Sequence, residues 1–79
     1  MVTLKELNPR ERGVVVGWAE GAPPTRLLEM GVMTGTEIEV VKLAPFGDPI
    51  EIELRGYRLS LRKREAEQIE IERLGSTHE

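Results

Sequence analysis

Alternation of apolar and polar side chains is the sequence feature that most restricts how this chain can fold. It recurs in residues 36–40, 49–54, 57–62 and 68–72, and each time every second residue is apolar. A period of two gives an extended segment one buried face and one solvent-exposed face, which is typical of antiparallel sheets. With a further extended segment near residues 12–20, the pattern predicts five strands and a mainly β chain.

The segment near residues 12–20 is expected to bury Val14, Val16 and Trp18, which share one side of an extended chain. A short helix over residues 25–30 is predicted to follow. Pro24 needs no amide donor at the helix entry, and Gly31 suits the left-handed position just after a helix end.

A two-residue loop, Arg55-Gly56, is predicted to join the third and fourth strands. This loop pairs Leu54 with Tyr57, Ile52 with Leu59, Ile50 with Leu61, and Glu53 with Arg58. Every apolar residue then meets an apolar one, and Glu53 can neutralise Arg58 on the solvent-exposed face, whereas a loop longer by one residue would mix the faces. A tight hairpin turn prefers Asn or Asp before Gly, so Arg55 is expected to carry some strain.

Five short strands in 79 residues cannot cover both faces of an open sheet, so we expect a small barrel with the single helix at one end. Residues 1–74 are predicted to form one domain, and residues 75–79 a flexible tail. The predicted core is Val14, Val16, Ile38, Val40, Ile52, Leu59 and Ile71.

The composition argues against several classes of function. The chain has no cysteine, a single histidine, His78, in the predicted tail, and no phosphate-binding loop, so we expect no enzyme activity, no cofactor and no buried metal site. The absence of cysteine suits a reducing, cytoplasmic location. No apolar run approaches the length that spans a bilayer, so no direct membrane insertion is expected. A net charge of -3 argues against broad nucleic-acid binding.

The order and spacing of four short motifs resemble the FeoA family over roughly residues 4–73. These motifs are Arg26–Val32, Gly35–Val40, Pro45–Ile50 and Arg55–Arg62. The resemblance implies an SH3-like barrel and a small cytosolic accessory of the ferrous iron transporter FeoB, a membrane protein with a cytosolic GTP-binding domain. It also implies that FeoB, through that cytosolic domain, is the partner. The same barrel occurs in metal-dependent repressors, so the alternative is a regulator-type or nucleic-acid-binding module.

A partner-binding surface can be predicted by setting aside the apolar residues that the barrel uses. The apolar sides of the strands fill the barrel and their outer sides are charged, which leaves Leu28, Met30 and Met33 near the helix and Phe46 on the long loop. Two alternatives stay open: Phe46 folds back to cap the barrel, or at least one methionine fills the core. Self-association, including a weak homo-oligomer, is also left open.

The basic hairpin residues Arg55, Arg58 and Arg62 are the next candidate surface. Their cluster fits a mixed charged surface, an acidic protein partner or nucleic acid, and the first is expected. Asp48 is expected to accept hydrogen bonds from its own turn.

Overall fold

The computed structural model describes residues 2–19 and 23–74. The chain forms one antiparallel sheet in the order β1-β6-β2-β3-β4-β5. Its strands are β1 Val2–Thr3, β2 Arg12–Trp18, β3 Glu37–Leu43, β4 Ile50–Leu54, β5 Tyr57–Leu61 and β6 Ile69–Arg73. The helices are α1 Thr25–Glu29 and α2 Lys63–Ala66, and single 3-10 turns lie at Leu4–Glu6 and Pro45–Gly47. The predicted tail and His78 lie outside the described residues.

The sheet has one strand more than the five predicted, and there are two short helices where one was expected. β1 is two residues long, too short for an alternating pattern to reveal it. α2 is a single turn that buries one side chain, Ala66, and has its first amides capped by acidic side chains. The Glu65 carboxylate accepts a 2.9 Å hydrogen bond from the Arg62 amide, and that of Asp48 accepts a 3.0 Å bond from the Lys63 amide.

The predicted β4–β5 hairpin is confirmed in every pair, from Leu54 opposite Tyr57 to Ile50 opposite Leu61. Its turn residues have left-handed φ angles, 51° at Arg55 and 87° at Gly56, so the strain expected at Arg55 is present. Glu53 lies opposite Arg58, but the predicted ion pair between them is wrong. The Arg58 guanidinium instead lies 3.5 Å from the carboxylate of Glu51, two residues along the same face of β4.

The side of β2 that faces the core is the reverse of the prediction. Val15 is fully buried, whereas Val16 is 37% exposed and Val14 is only partly covered. Gly13 also faces inward, where an added Cβ would overlap Cγ2 of Ile71. The register against β6 then shifts between Val15 and Gly17, and this bulge returns Trp18 to the core side.

The other five predicted core residues, Ile38, Val40, Ile52, Leu59 and Ile71, are buried as expected. The core also takes in side chains from outside the predicted strands. These are Leu4, Leu7, Leu27, Val32 and Ala66. The loops and helical turns therefore supply a substantial part of the apolar interior, as a domain this small requires.

The two edge strands of the sheet, β1 and β5, are brought together through helical turns rather than through a backbone ladder. α2 directly follows β5 and packs against the Leu4–Glu6 turn that directly follows β1. Nζ of Lys5 lies 3.6 Å from Oε2 of Glu67 across this junction. The sheet thus curls into a small barrel. Within residues 2–19 and 23–74, no helix is long and apolar enough to cross a membrane.

Two neighbouring valines of β2 test which side of this strand faces the core. Val15→Ala should lower the free energy of unfolding by about 2 kcal/mol, because it leaves a cavity in the core. Val16→Ala should lower it by less than about 1 kcal/mol, because that side chain faces outward. Urea denaturation of both variants measures the difference. A larger loss of unfolding free energy for Val16→Ala than for Val15→Ala would contradict the burial of Val15 described here.

Candidate partner-binding surface

The end of α1 packs directly against the turn of the β4–β5 hairpin. The Tyr57 hydroxyl donates a hydrogen bond to the backbone carbonyl of Met30. Gly31 follows with a φ of 95°, and a Cβ added there would lie only 3.2 Å from Cδ of Arg55. Glycine at this position therefore allows both the left-handed turn and the close approach of the hairpin.

The beginning of α1 is held at the far end of β5. Nη1 of Arg26 lies 2.8 Å from Oε2 of Glu65, and Nη2 donates a 3.2 Å hydrogen bond to the carbonyl of Ser60. α1 is thus fixed at both ends along the edge strand. Leu27 points into the core while its neighbour Leu28 remains partly exposed, so the outer side of α1 is available to a partner.

An exposed apolar surface results where α1 and the hairpin turn meet. Its five residues, here called the helix–hairpin surface, are Leu28, Met30, Met33, Arg55 and Tyr57. The four apolar or aromatic members are between 36 and 40% exposed, and Arg55 is exposed beside them. Neither methionine lies in the core, so the core-filling alternative is wrong.

The turn that carries Met33 is fastened back onto the end of α1. The Thr36 hydroxyl donates a 3.0 Å hydrogen bond to the Gly31 carbonyl, and the Thr36 amide donates a 2.9 Å bond to the Met33 carbonyl. Thr36 is itself buried. The methionine is therefore presented from a short, internally bonded turn rather than from a loose loop.

Tyr57 was missed as a contact residue because the alternating pattern assigns it to the apolar face of β5. Its cross-strand partner Leu54 is buried, yet Tyr57 stays exposed because these two residues form the last pair before the turn. A signal was present in the residue type. Tyrosine has a polar hydroxyl that needs a partner when the ring is partly covered, and the end of a strand next to a helix offers one.

Phe46 lies at the opposite end of the sheet from the helix–hairpin surface. Its loop precedes β4, whereas the Arg55-Gly56 turn follows it, and the four residue steps of β4 separate them by roughly 13 Å. The Phe46 side chain is 100% exposed, so the alternative that it caps the barrel is wrong. The structure divides the predicted contact residues into two groups rather than one surface.

The three arginines of the hairpin are spread along β5 instead of forming one cluster. Arg55 lies at the turn, Arg58 in the strand and Arg62 just beyond its far end. Arg58 lies near Glu51, and Nε of Arg62 lies 3.5 Å from Oδ1 of Asp48. This alternation of signs fits the mixed charged surface that the sequence predicts.

Asp48 has a different role from the predicted one. Its carboxylate accepts the Lys63 amide hydrogen bond of α2 instead of bonds from its own turn. It therefore joins the long loop to α2. In the described part of the chain, no group of three or more His, Cys, Asp or Glu side chains is placed to hold a metal ion.

Comparison with known proteins gives a consistent result. Residues 2–73 match the family model of the FeoA domain. A fusion protein of Fe(2+) transport protein A and the Fe(2+) transporter FeoB from Porphyromonas gingivalis is 38% identical over 74 residues. The match covers 92% of this chain and 9% of the fusion protein, so the chain spans about a tenth of that relative's length.

Solved structures show the same fold. The NMR structure of an FeoA-like protein from Clostridium acetobutylicum is 39% identical, with a TM-score of 0.83 over 99% of this chain and 92% of that one. The zinc-complexed FeoA of Stenotrophomonas maltophilia is 30% identical, with a TM-score of 0.76 over 91% of each chain, and is described as an SH3 domain protein. The predicted SH3-like, mainly β fold is confirmed.

A glycine substitution tests whether Phe46 has any part in folding. Phe46 has a φ of 71°, which is costly for a residue with a Cβ. Phe46→Gly should keep or raise the free energy of unfolding, by up to about 1 kcal/mol, because it relieves this strain and removes no core contact. Thermal and urea denaturation measure the change.

Gly47→Ala is the matched control in the same loop. An added Cβ there has no neighbour within 4 Å, so its cost of about 1 kcal/mol reports the left-handed backbone alone. A loss of about 3–5 kcal/mol in Phe46→Gly, typical of a buried phenylalanine, would place Phe46 in the core.

Proposed function

Because the chain belongs to the FeoA family, we propose that it is a non-enzymatic accessory of a FeoB-type ferrous iron transporter. In this proposal it works in the cytoplasm and binds the cytosolic domain of the transporter. The observation that carries the proposal is the Porphyromonas gingivalis relative, in which the FeoA and FeoB parts form one fusion protein. FeoA-domain proteins are associated with ferrous iron transport.

The fusion supports a physical association of the two parts. Joining two domains in one chain gives each a high effective concentration near the other, so even a weak contact is occupied. A chain without that covalent link must rely on the affinity of its own surface. The helix–hairpin surface has the composition for this purpose, because methionine, tyrosine and arginine are enriched at protein interfaces.

The geometry of α1 supports the same surface. Hydrogen bonds at both ends of α1 and an ion pair at its first turn fix the helix on β5, so its exposed side chains are held before the partner arrives. A preorganised surface loses less conformational entropy on binding. We propose Leu28, Met30, Met33 and Arg55 as the centre of the contact, with Arg58 and Arg62 extending it along β5. Phe46 lies outside this centre.

Ferrous iron uptake tests the proposal in cells that have the FeoB-type transporter as their only ferrous route. Removing the chain should lower uptake under iron limitation, and the unaltered chain should restore it. Met33→Glu should fail to restore it, because a carboxylate in the contact centre should weaken binding by roughly ten- to hundredfold, or about 1–3 kcal/mol. Uptake of radioactive ferrous iron and a pull-down with the cytosolic domain measure the two effects.

Val16→Glu is the matched control, since Val16 has nearly the same exposure, 37% against 40% for Met33, and lines a groove with Val2, Glu72 and Arg73. It should bind and restore uptake normally. Wild-type uptake in cells lacking the chain would refute the accessory role. Full activity of Met33→Glu would refute only the proposed surface.

A further inference from the structure

The loop between β3 and β4 ends in an apolar tip that the fold itself does not use. The tip consists of Leu43, Pro45, Phe46 and Pro49, all of them exposed. Phe46 is the extreme member, with its whole side chain in solvent and its backbone in the left-handed region. Since a phenylalanine in this position costs backbone strain and gains no burial, its side chain is available for an external contact.

The loop holds Phe46 in place by backbone hydrogen bonds. The Gly47 amide donates to the Ala44 carbonyl at 2.8 Å, and the Ala44 amide donates to the Pro49 carbonyl at 3.1 Å. Asp48 adds the side-chain link to α2 described above. The tip is therefore an ordered loop that is held by hydrogen bonds.

Basic residues lie near the base of this tip. Lys42 directly precedes it and is exposed, the Arg62 side chain is 71% exposed, and Arg64 is exposed on α2. The acidic groups facing this region already have cationic neighbours within the described residues. These pairs are Asp48 with Arg62, Glu65 with Arg26 and Glu51 with Arg58. Because Asp48 offsets Arg62, the excess positive charge around the tip comes from Lys42 and Arg64, although the chain as a whole carries -3.

We propose that this loop tip is an interfacial anchor that places Phe46 at the headgroup level of an anionic lipid bilayer. An apolar side chain with lysine and arginine residues nearby matches such a surface, which offers an apolar interior and negative charge together. No segment crosses the bilayer in this contact. This contact differs from the membrane insertion that the sequence argues against, because only the tip of one loop enters the headgroup region.

The size of the tip favours a lipid surface over a protein partner. A stable protein interface buries about 800 Å² on each side around a packed centre, whereas this apolar area is a single projection. A bilayer stabilises each inserted side chain separately, so one aromatic ring and a few charges suffice for weak, reversible binding.

The position of the tip is compatible with the proposed transporter contact. The tip and the centre of the helix–hairpin surface lie at opposite ends of β4, and Arg62 is the one residue that the two proposed contacts share. The lipid contact does not depend on the transporter role, because vesicles without any transporter test it.

Vesicle co-sedimentation of the full chain tests the proposal. The chain should bind mixed phosphatidylglycerol and phosphatidylcholine vesicles more strongly than pure phosphatidylcholine vesicles, and added salt should weaken the binding. Phe46→Ser should lower the partition coefficient at least about tenfold, because the inserted ring is lost. Lys42→Glu changes the local charge by two units and should lower it roughly thirtyfold. Phe46→Trp should keep binding and shift its added fluorescence to shorter wavelength on anionic vesicles.

Matched variants at the other end of the barrel are the controls. Met33→Ser removes an exposed apolar side chain, and Arg55→Glu changes the net charge by the same amount as Lys42→Glu, so both should bind vesicles like the unaltered chain. Equal binding by Phe46→Ser, equal binding to neutral vesicles, or no vesicle binding together with Phe46-dependent binding to the transporter's cytosolic domain would each overturn the proposal. The last outcome would assign the tip to a protein partner.

Discussion

The register of the β4–β5 hairpin is the constraint on which the rest of the structure depends. It directs Ile50, Ile52 and Leu54 of β4 inward together with Leu59 and Leu61 of β5, and these residues form one wall of the core. A shift by one residue would turn the apolar side chains of one of the two strands to solvent. The same register places Tyr57 beside the turn, where its hydroxyl reaches the end of α1. The wall of the barrel and the position of the helix therefore follow from one two-residue loop.

This arrangement leaves few large apolar side chains outside the core. α1 is joined to the edge strand β5 at two points, where Arg26 donates to the carbonyl of Ser60 and the Tyr57 hydroxyl donates to the carbonyl of Met30. The inward faces of the strands are buried and their outward faces are largely polar or charged. Besides Val16 on β2, the exposed large apolar side chains of the described residues lie at two places, the helix–hairpin surface and the loop tip. In a barrel this small, these are natural positions for contacts that the fold does not need.

The hairpin could be predicted because residue pattern and cross-strand pairing give the same answer. β2 could not, because Val14, Val15 and Val16 form a continuous apolar run in which alternation does not identify the buried side, and the bulge before Trp18 has no signal in composition. Setting aside the apolar residues that the barrel uses correctly found Met30, Met33 and Phe46 as exposed apolar residues. It could not find the distance between them, because that distance depends on which end of β4 each loop joins.

The most direct test of the account is to map the contact with the transporter residue by residue. The backbone amide spectrum of the isotopically labelled chain should be recorded during titration with the cytosolic domain of a FeoB-type transporter. The account predicts that the largest changes fall at residues 28–33 and 55–58, with little change at Val14 and Val16 on the outer side of β2. Changes confined to β2 and β6, or none at concentrations where the transporter's activity responds to the chain, would contradict it.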